Sequence, residues 1–293
     1  GYAGDFYNET TATRHMLTAG LEARYPLLVT TNNSSHIIEP IAQIYARNDE
    51  QLAGRLPNED AQSFVFDATN LFERDKFSGY DRMEGGTRAN VGVRYTGSFD
   101  NGFGVRGIFG QSYHIAGLNS YATDDLVKVG ADSGLETDAS DFVGMAGIDM
   151  PNGMSVATNV RLDERTLALR RTDANVSFSN ETLQTSLTYS QIAAQPEYGF
   201  TERNDEIQSA SSIKVSEYWS LFGSVTWDID EAVINRKGVG ISYADECTVF
   251  SLVYTDKWDP EEESASDWSI GARLTFRTLG DVKIGNTQLA GFN

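Results

Sequence analysis

Apolar and polar residues alternate with a period of two along most of this chain, and helical periodicity is nearly absent. Residues 90–96 set the pattern: Val91, Val93 and Tyr95 fall on one face, Asn90 and Arg94 on the other. The same alternation runs through 154–162, 183–190, 221–229 and 268–276. Counting such segments predicts about thirteen strands, near 14–30, 35–46, 84–99, 103–113, 141–150, 153–162, 167–178, 182–192, 206–216, 219–229, 233–243, 247–256 and 268–276. Most approach the ~10 residues that a tilted strand needs to cross a bilayer. That is roughly twice the mean strand length of soluble proteins.

The connections carry a second pattern. Asp100-Asn101-Gly102, Pro151-Asn152, Ser179-Asn180-Glu181 and Ala244-Asp245-Glu246 have the chemistry of tight hairpin turns. Between them lie connections that are mostly longer, at 47–83, 114–140, 193–205 and 257–267, with short exceptions at 163–166 and 230–232. Short turns at one end and long loops at the other is the arrangement of an outer-membrane barrel. A soluble β-sandwich also alternates. It does not account for a second face rich in small and charged residues (Asn90, Arg94, Asn159, Arg161, Asp228, Arg273). Nor does it account for aromatics gathered at strand ends, such as Tyr218, Trp219, Tyr243, Tyr254, Trp258, Trp268 and Phe276.

The expected fold is therefore all-β, an antiparallel transmembrane β-barrel whose apolar stripe faces lipid and whose charged stripe faces a wet interior. Single-chain bacterial barrels close with an even number of strands, and an open edge in lipid leaves backbone groups unpaired. Residues 1–276 accordingly read as the C-terminal part of a larger barrel, and 277–293 as a non-alternating tail.

Composition narrows the function. The 293 residues carry 42 Asp plus Glu against 23 Lys plus Arg, a net charge of −19. That balance excludes a nucleic-acid partner, which needs a basic face. No apolar run reaches the roughly 18 residues of a membrane helix, and the first residues lack the features of a signal peptide. His15, His36 and His114 lie far apart, without metal-ligand spacing. The acidic run Asp259-Pro260-Glu261-Glu262-Glu263 lacks the ligand spacing of a calcium loop. Gly104, Gly107 and Gly110 lie in a strand with no following helix, so no nucleotide site is expected. No cofactor, metal or catalytic residue is expected. The one enzymatic alternative is a lipid hydrolase built on Ser112 and His114, which a strand places on one face.

The longest loop, 47–83, is not featureless. Phe64, Phe66, Leu71, Phe72, Phe77 and Tyr80 offer enough apolar area for it to fold back and pack, as a plug would. The runs PNEDAQ, FDATNLF and FSGYDRMEGGTRANVG in and after this loop resemble the lipopolysaccharide-assembly family LptD, also called organic solvent tolerance protein, in its alphaproteobacterial style. The resemblance is strong over 36–99 and weaker elsewhere. Its motif positions here are Pro57, Asn58, Asp60, Asp67, Asn70, Leu71, Phe72, Gly79, Asp81, Arg82 and Gly85.

What the resemblance implies is lipopolysaccharide transport and assembly in the outer membrane of a Gram-negative bacterium. It implies an LptE-like plug lipoprotein and an LptA-like periplasmic bridge, reached through an N-terminal domain outside this chain. It also implies a lateral gate, in which the last strand pairs with the first strand of the whole barrel. Here that strand is 268–276, with Trp268, Ile270, Gly271, Leu274 and Phe276 in the pattern presented to the barrel-assembly machinery. Cys247, the only cysteine, fits a small buried hydrophobe on residue type alone. The family implies instead a disulfide from this position to a cysteine of the N-terminal periplasmic region. Many members carry two adjacent cysteines where this chain has Glu246-Cys247. A passive porin is the competing function, with loops that leave an open constriction lined by charge rows.

Overall fold

Pro26 breaks the first expected strand in two. The structure, a computed structural model, describes residues 13–53, 64–123, 130–194, 201–258, 266–277 and 280–284. Within them the elements are β1 (Thr18–Arg24), β2 (Leu27–Thr30), β3 (Ser34–Arg47), β4 (Thr87–Phe99), β5 (Gly104–Ala116), β6 (Phe142–Asp149), β7 (Met154–Leu162) and β8 (Leu169–Ser179). They continue with β9 (Leu183–Ile192), β10 (Asn204–Lys214), β11 (Trp219–Asp228), β12 (Val233–Ala244), β13 (Thr248–Trp258), β14 (Ser266–Phe276) and β15 (Gly280–Ile284). No described residue is helical, and no helix is long and apolar enough to cross a membrane. The all-β, antiparallel reading holds.

The count is fifteen rather than about thirteen, for two physical reasons. Proline has no N–H to give a ladder, so β1 and β2 part at Tyr25-Pro26; each still pairs with β3, and the Tyr25 amide donates to the Pro40 carbonyl at 3.2 Å. At the other end, the segment expected to be a tail carries β15, which pairs with β14 from Ala272↔Ile284 to Phe276↔Gly280. Asp281, Val282, Lys283 and Ile284 alternate, a signal too short to stand out from sequence. Strand β14 is thus not the last strand.

Hydrogen-bonded strand order follows the chain from β3 to β15, with β1 and β2 both on β3. Two compact units share the strands: Gly1–Ile148 with Thr158–Thr172 and Ala193–Glu202, and Asp149–Ala157 with Asp173–Ile192 and Arg203–Asn293. The boundary passes through β7 and β8.

In the first unit the sheet is inside-out relative to a soluble fold. Val91, Val93 and Phe109 are 39%, 44% and 50% exposed, whereas Asn90 and Ser112 on the opposite face are 1% and 0% exposed. The register makes each face continuous across strands, with Val93 opposite Pro40 and Phe109, and Asn90 opposite Gln43 and Ser112. A soluble domain buries its apolar face; this one shows it to the surroundings.

The second unit repeats the polarity. Leu221, Trp227, Val239, Leu252 and Ile270 are exposed, and Ser224, Asp228 and Thr255 are buried. At the turn end of its strands Tyr243 packs edge-on to Trp219 at 5.1 Å and beside Tyr218 at 5.9 Å. Such a girdle marks a membrane interface.

Candidate functional site

The polar face of β3, β4 and β5 is covered by the loop between β3 and β4, and the sequence of that loop explains how. Asp67 Oδ1 accepts hydrogen bonds from the Thr69 amide at 2.7 Å, the Thr69 hydroxyl at 2.6 Å and the Asn70 amide at 3.3 Å. Asn70 Oδ1 accepts from the Asp67 amide at 3.1 Å, and its Nδ2 donates to the Val65 carbonyl at 2.8 Å. This reciprocal Asx turn aims Leu71 and Phe72 at the sheet.

There Gly92 and Gly110 face each other across β4 and β5. A Cβ at Gly110 would lie 2.6 Å from Leu71 Cδ2, and one at Gly92 would lie 3.1 Å from Phe72 Cζ. Two glycines form the seat for two apolar side chains. Phe66, Leu71 and Phe77 then join Tyr121, Leu135 and Val143 in one buried cluster, flanked by Phe64 and Phe72. Phe77 stacks on Tyr121 with centroids 4.5 Å apart. The connection between β5 and β6 thus packs on the one between β3 and β4.

Charged groups are enclosed with this cluster. Arg82 and Glu50 are both buried and form a bidentate pair, Nε–Oε1 at 2.9 Å and Nη2–Oε2 at 3.2 Å. Arg82 also donates to the Ser120 carbonyl at 2.6 Å and lies over the Phe77 ring. Glu50 also accepts the Met83 amide at 3.1 Å. Glu84 pairs with Arg88 at 2.8 Å and accepts the Lys76 amide at 3.3 Å; Arg47 lies 3.8 Å away. The Lys76 ammonium donates to the Glu73 carbonyl and to Asn90 Oδ1, each at 3.3 Å.

Burial, opposed by the Glu84 carboxylate, brings the Lys76 ammonium down to about 8. Partial desolvation and then the Glu84 charge raise Asp75 from its ordinary value, although its side chain still reaches the surface, and burial raises the Tyr121 phenol well above its usual value. At Gly86, φ is +72°, and its carbonyl accepts the Arg47 amide at 2.9 Å.

Of the motif positions, Asp67, Asn70, Leu71, Phe72, Arg82 and Gly85 converge on this assembly, where the Gly85 amide donates to Ser120 Oγ at 3.0 Å. Gly79 takes a left-handed turn with φ +72° beside exposed Tyr80 and half-buried Asp81. Pro57, Asn58 and Asp60 lie outside the described residues. Sequence reasoning missed Glu50, Arg47 and Ser120, whose partners lie tens of residues away. The available signal was the charge set of Asp75, Lys76, Arg82 and Glu84 inside an otherwise aromatic loop.

The hydrolase pair does not assemble. The Ser112 hydroxyl donates to Asn90 Oδ1 at 2.7 Å, and His114 Nε2 meets the Gly117 carbonyl at 3.0 Å. A second charged group, unseen in the sequence, joins Arg161 to Asp132 and Asp141, and Arg170 to Asp163. Carboxylates of Asp141, Asp163 and Glu164 lie within 4.8 Å of one another. The two arginines already balance Asp141 and Asp163. Burial pushes Asp141 up to about 7, whereas hydrogen bonds from Thr166 and Arg170 hold Asp163 well below the carboxylate range.

The expected gate residues sit on β14, which belongs to the second unit, and the loop cluster belongs to the first. Trp268 and Ile270 are 60% and 57% exposed, Gly271 is buried, and Phe276 is exposed. Among the described residues, β15 pairs with Ala272–Phe276 of the β14 edge. Cys247 is exposed after the β12–β13 turn, where Asp245 Oδ1 accepts its amide at 2.9 Å.

No curated protein matches the chain. Among solved structures, OmpF of Salmonella typhi in complex with daunomycin aligns over 89% of this chain and 85% of its own, at 9% identity and a TM-score of 0.35. The family model described as LptD, LPS transport system D, matches residues 2–204. That match spans most of the chain and includes the whole loop that packs on Gly92 and Gly110. The chain belongs to the LptD family of outer-membrane lipopolysaccharide transport proteins.

Proposed function

We propose that this chain forms part of the wall of an outer-membrane barrel that receives lipopolysaccharide from an LptA-like periplasmic bridge and releases it sideways into the outer leaflet. The family match carries the reading. The polarity of the sheet supports it, because a transporter of an amphiphile needs two solvents side by side. Sugars and phosphates travel along the charged face, and acyl chains stay in the hydrocarbon against the exposed apolar face. No covalent step is needed.

In this reading the packed loop of β3–β4 occupies the lumen beside an LptE-like lipoprotein and limits the free aqueous path. A barrel seam opens by losing strand pairing, and the half of the β14 edge bearing Trp268, Ile270 and Gly271 has no β15 partner among the described residues. That stretch is the candidate for the yielding part of the wall. Cys247 is the candidate for a disulfide to a periplasmic domain, and its exposure supports that role.

The test is depletion of the full protein in its parent bacterium, with antibody labelling of newly made lipopolysaccharide on intact cells. Surface labelling is expected to stop. Continued labelling, accompanied by loss of small-solute uptake, overturns the transporter in favour of a porin.

A further inference from the structure

The exposed apolar face of the first unit is not uniformly convex. Between β1 and β6 it holds a groove of about 670 Å³, within the size range of small-molecule sites. Its floor is low because Ala23 and Ala42, paired across β1 and β3, put only methyl groups there; Gly92 and Gly110 belong to the opposite face and reach this side through backbone alone. Val91 and Val93 line it, and one wall is the stacked pair Phe109–Phe142, with centroids 5.7 Å apart and planes 8° from parallel.

Arg24, Tyr25, Gln111 and Tyr113 are its polar residues; Arg24 is paired with Glu22, Tyr25 is exposed, and Gln111 is closed to any ligand. Gln111, buried, donates from Nε2 to the Ser140 carbonyl at 2.7 Å and accepts the Tyr113 hydroxyl at 2.5 Å. The groove therefore offers hydrocarbon contact and no hydrogen bond from Gln111. It also has a direction. It begins at mid-strand, at Pro40–Ala42, and reaches the loop ends of β5 and β6 at Tyr113 and Phe142. It lies in the half of the wall nearer the long loops, which is the outer-leaflet half of a barrel.

We propose that this groove holds one acyl chain of a lipopolysaccharide molecule in the outer leaflet, as a fixed lipid site on the outside of the wall. Three observations favour that occupant. The groove is continuous with the exposed apolar face, it is confined to the loop-side half, and its Gln111, Tyr113 and Arg24 side chains are internally satisfied. The inference rests on the reading of the chain as a lipopolysaccharide-inserting wall. The site differs from the seam at β14, which lies in the other unit.

The experiment uses the full-length protein with its partner subunits, purified in mild detergent, and counts retained lipids by native mass spectrometry. Ala42→Trp fills the groove; Leu252→Trp, on the exposed apolar face of the second unit, is the control. Wild type and the control are expected to retain one lipopolysaccharide that Ala42→Trp loses, with about tenfold lower occupancy, the effect of roughly two lost methylene burials. A photoreactive benzophenone side chain at Val93, in a protein shown to be folded by its heat-modifiable migration, is expected to cross-link lipopolysaccharide well above the same group at Val239.

Equal retention by all three proteins, equal cross-linking at the two positions, or a bound lipid that is phospholipid overturns the site. Surface arrival of lipopolysaccharide in cells carrying Ala42→Trp reports on transport separately. Arrival with no retained lipid supports the site and leaves transport standing. Continued surface arrival after depletion of the full protein would count against the proposed function alone.

Discussion

Replacing Arg82 with Met tests whether the β3–β4 loop is a folded part of the wall. Arg82 and Glu50 are enclosed together, 2% and 4% exposed, with two hydrogen bonds between them. Removing one partner of a buried pair leaves the other charge uncompensated and costs roughly 3–5 kcal/mol. The strands keep their ladders, so the cost falls on local opening of the loop. Each factor of ten corresponds to about 1.36 kcal/mol. Amide hydrogen exchange across 64–86 in the membrane-embedded protein is thus expected to accelerate by roughly two to nearly four powers of ten, provided reclosing is fast.

The companion variant replaces both Arg82 and Glu50 with Met. It removes both charges but leaves the Met83 amide and the Ser120 carbonyl without these partners, each worth about 1–3 kcal/mol if unsatisfied. The double variant should therefore recover part of the protection lost in Arg82→Met, and it should not exceed wild type. Wild-type exchange in Arg82→Met refutes the enclosed pair. Slower exchange in the single variant than in the double one refutes the argument from uncompensated charge.

Other expectations follow from the same geometry. Leu71→Ala leaves a cavity over Gly110 and should cost the loop about 2–5 kcal/mol, whereas Gly110→Val forces a Cβ to 2.3 Å from the Val91 carbonyl and should abolish loop protection outright. Lys76 is held at about 8, below its ordinary 10.5, so between these values the unfolded loop keeps a proton that the folded loop has shed. Loop stability should then rise as pH climbs from 8 toward 10.5, by roughly 3 kcal/mol in all, and that gain should vanish as pH falls through 8. Exchange measured from pH 7.5 to 9.5, corrected for intrinsic rates, checks this, and Lys76→Met should flatten the profile. Nitroxides at Val93 and Val225 should be relaxed by oxygen and shielded from water-soluble nickel complexes; the reverse accessibility removes the membrane reading. Cys247 should react with maleimide in reduced protein and be blocked in non-reduced full-length protein.

Strand positions were legible because lipid and water impose opposite demands on alternate residues, and a period of two survives almost any tertiary context. The division at Tyr25-Pro26 was available in principle, since a proline inside a strand pattern argues for an interruption. The continuous alternation around it concealed the break. Strand β15 was hidden for the opposite reason, with only Val282 and Ile284 to mark it.

The loop divides along a different line. Its capacity to pack was visible in Phe66, Leu71 and Phe77, and its turn chemistry in Asp67 and Asn70. What it packs on was not visible, because Glu50, Arg82 and Ser120 meet across separations of 32 and 38 residues and no local pattern records such a meeting. The glycines show the limit most clearly. Read along the strand, Gly92 and Gly110 are weak spots that lower strand propensity. Read across the register, they oppose each other beneath Leu71 and Phe72. The motif FDATNLF and the two glycines therefore form one device. The Asx turn orients two apolar side chains, and the missing Cβ atoms give them room on a face that is otherwise polar. A loop seated this way is fixed by shape at its centre and by ion pairs around it, so mutations at either layer should loosen the same segment.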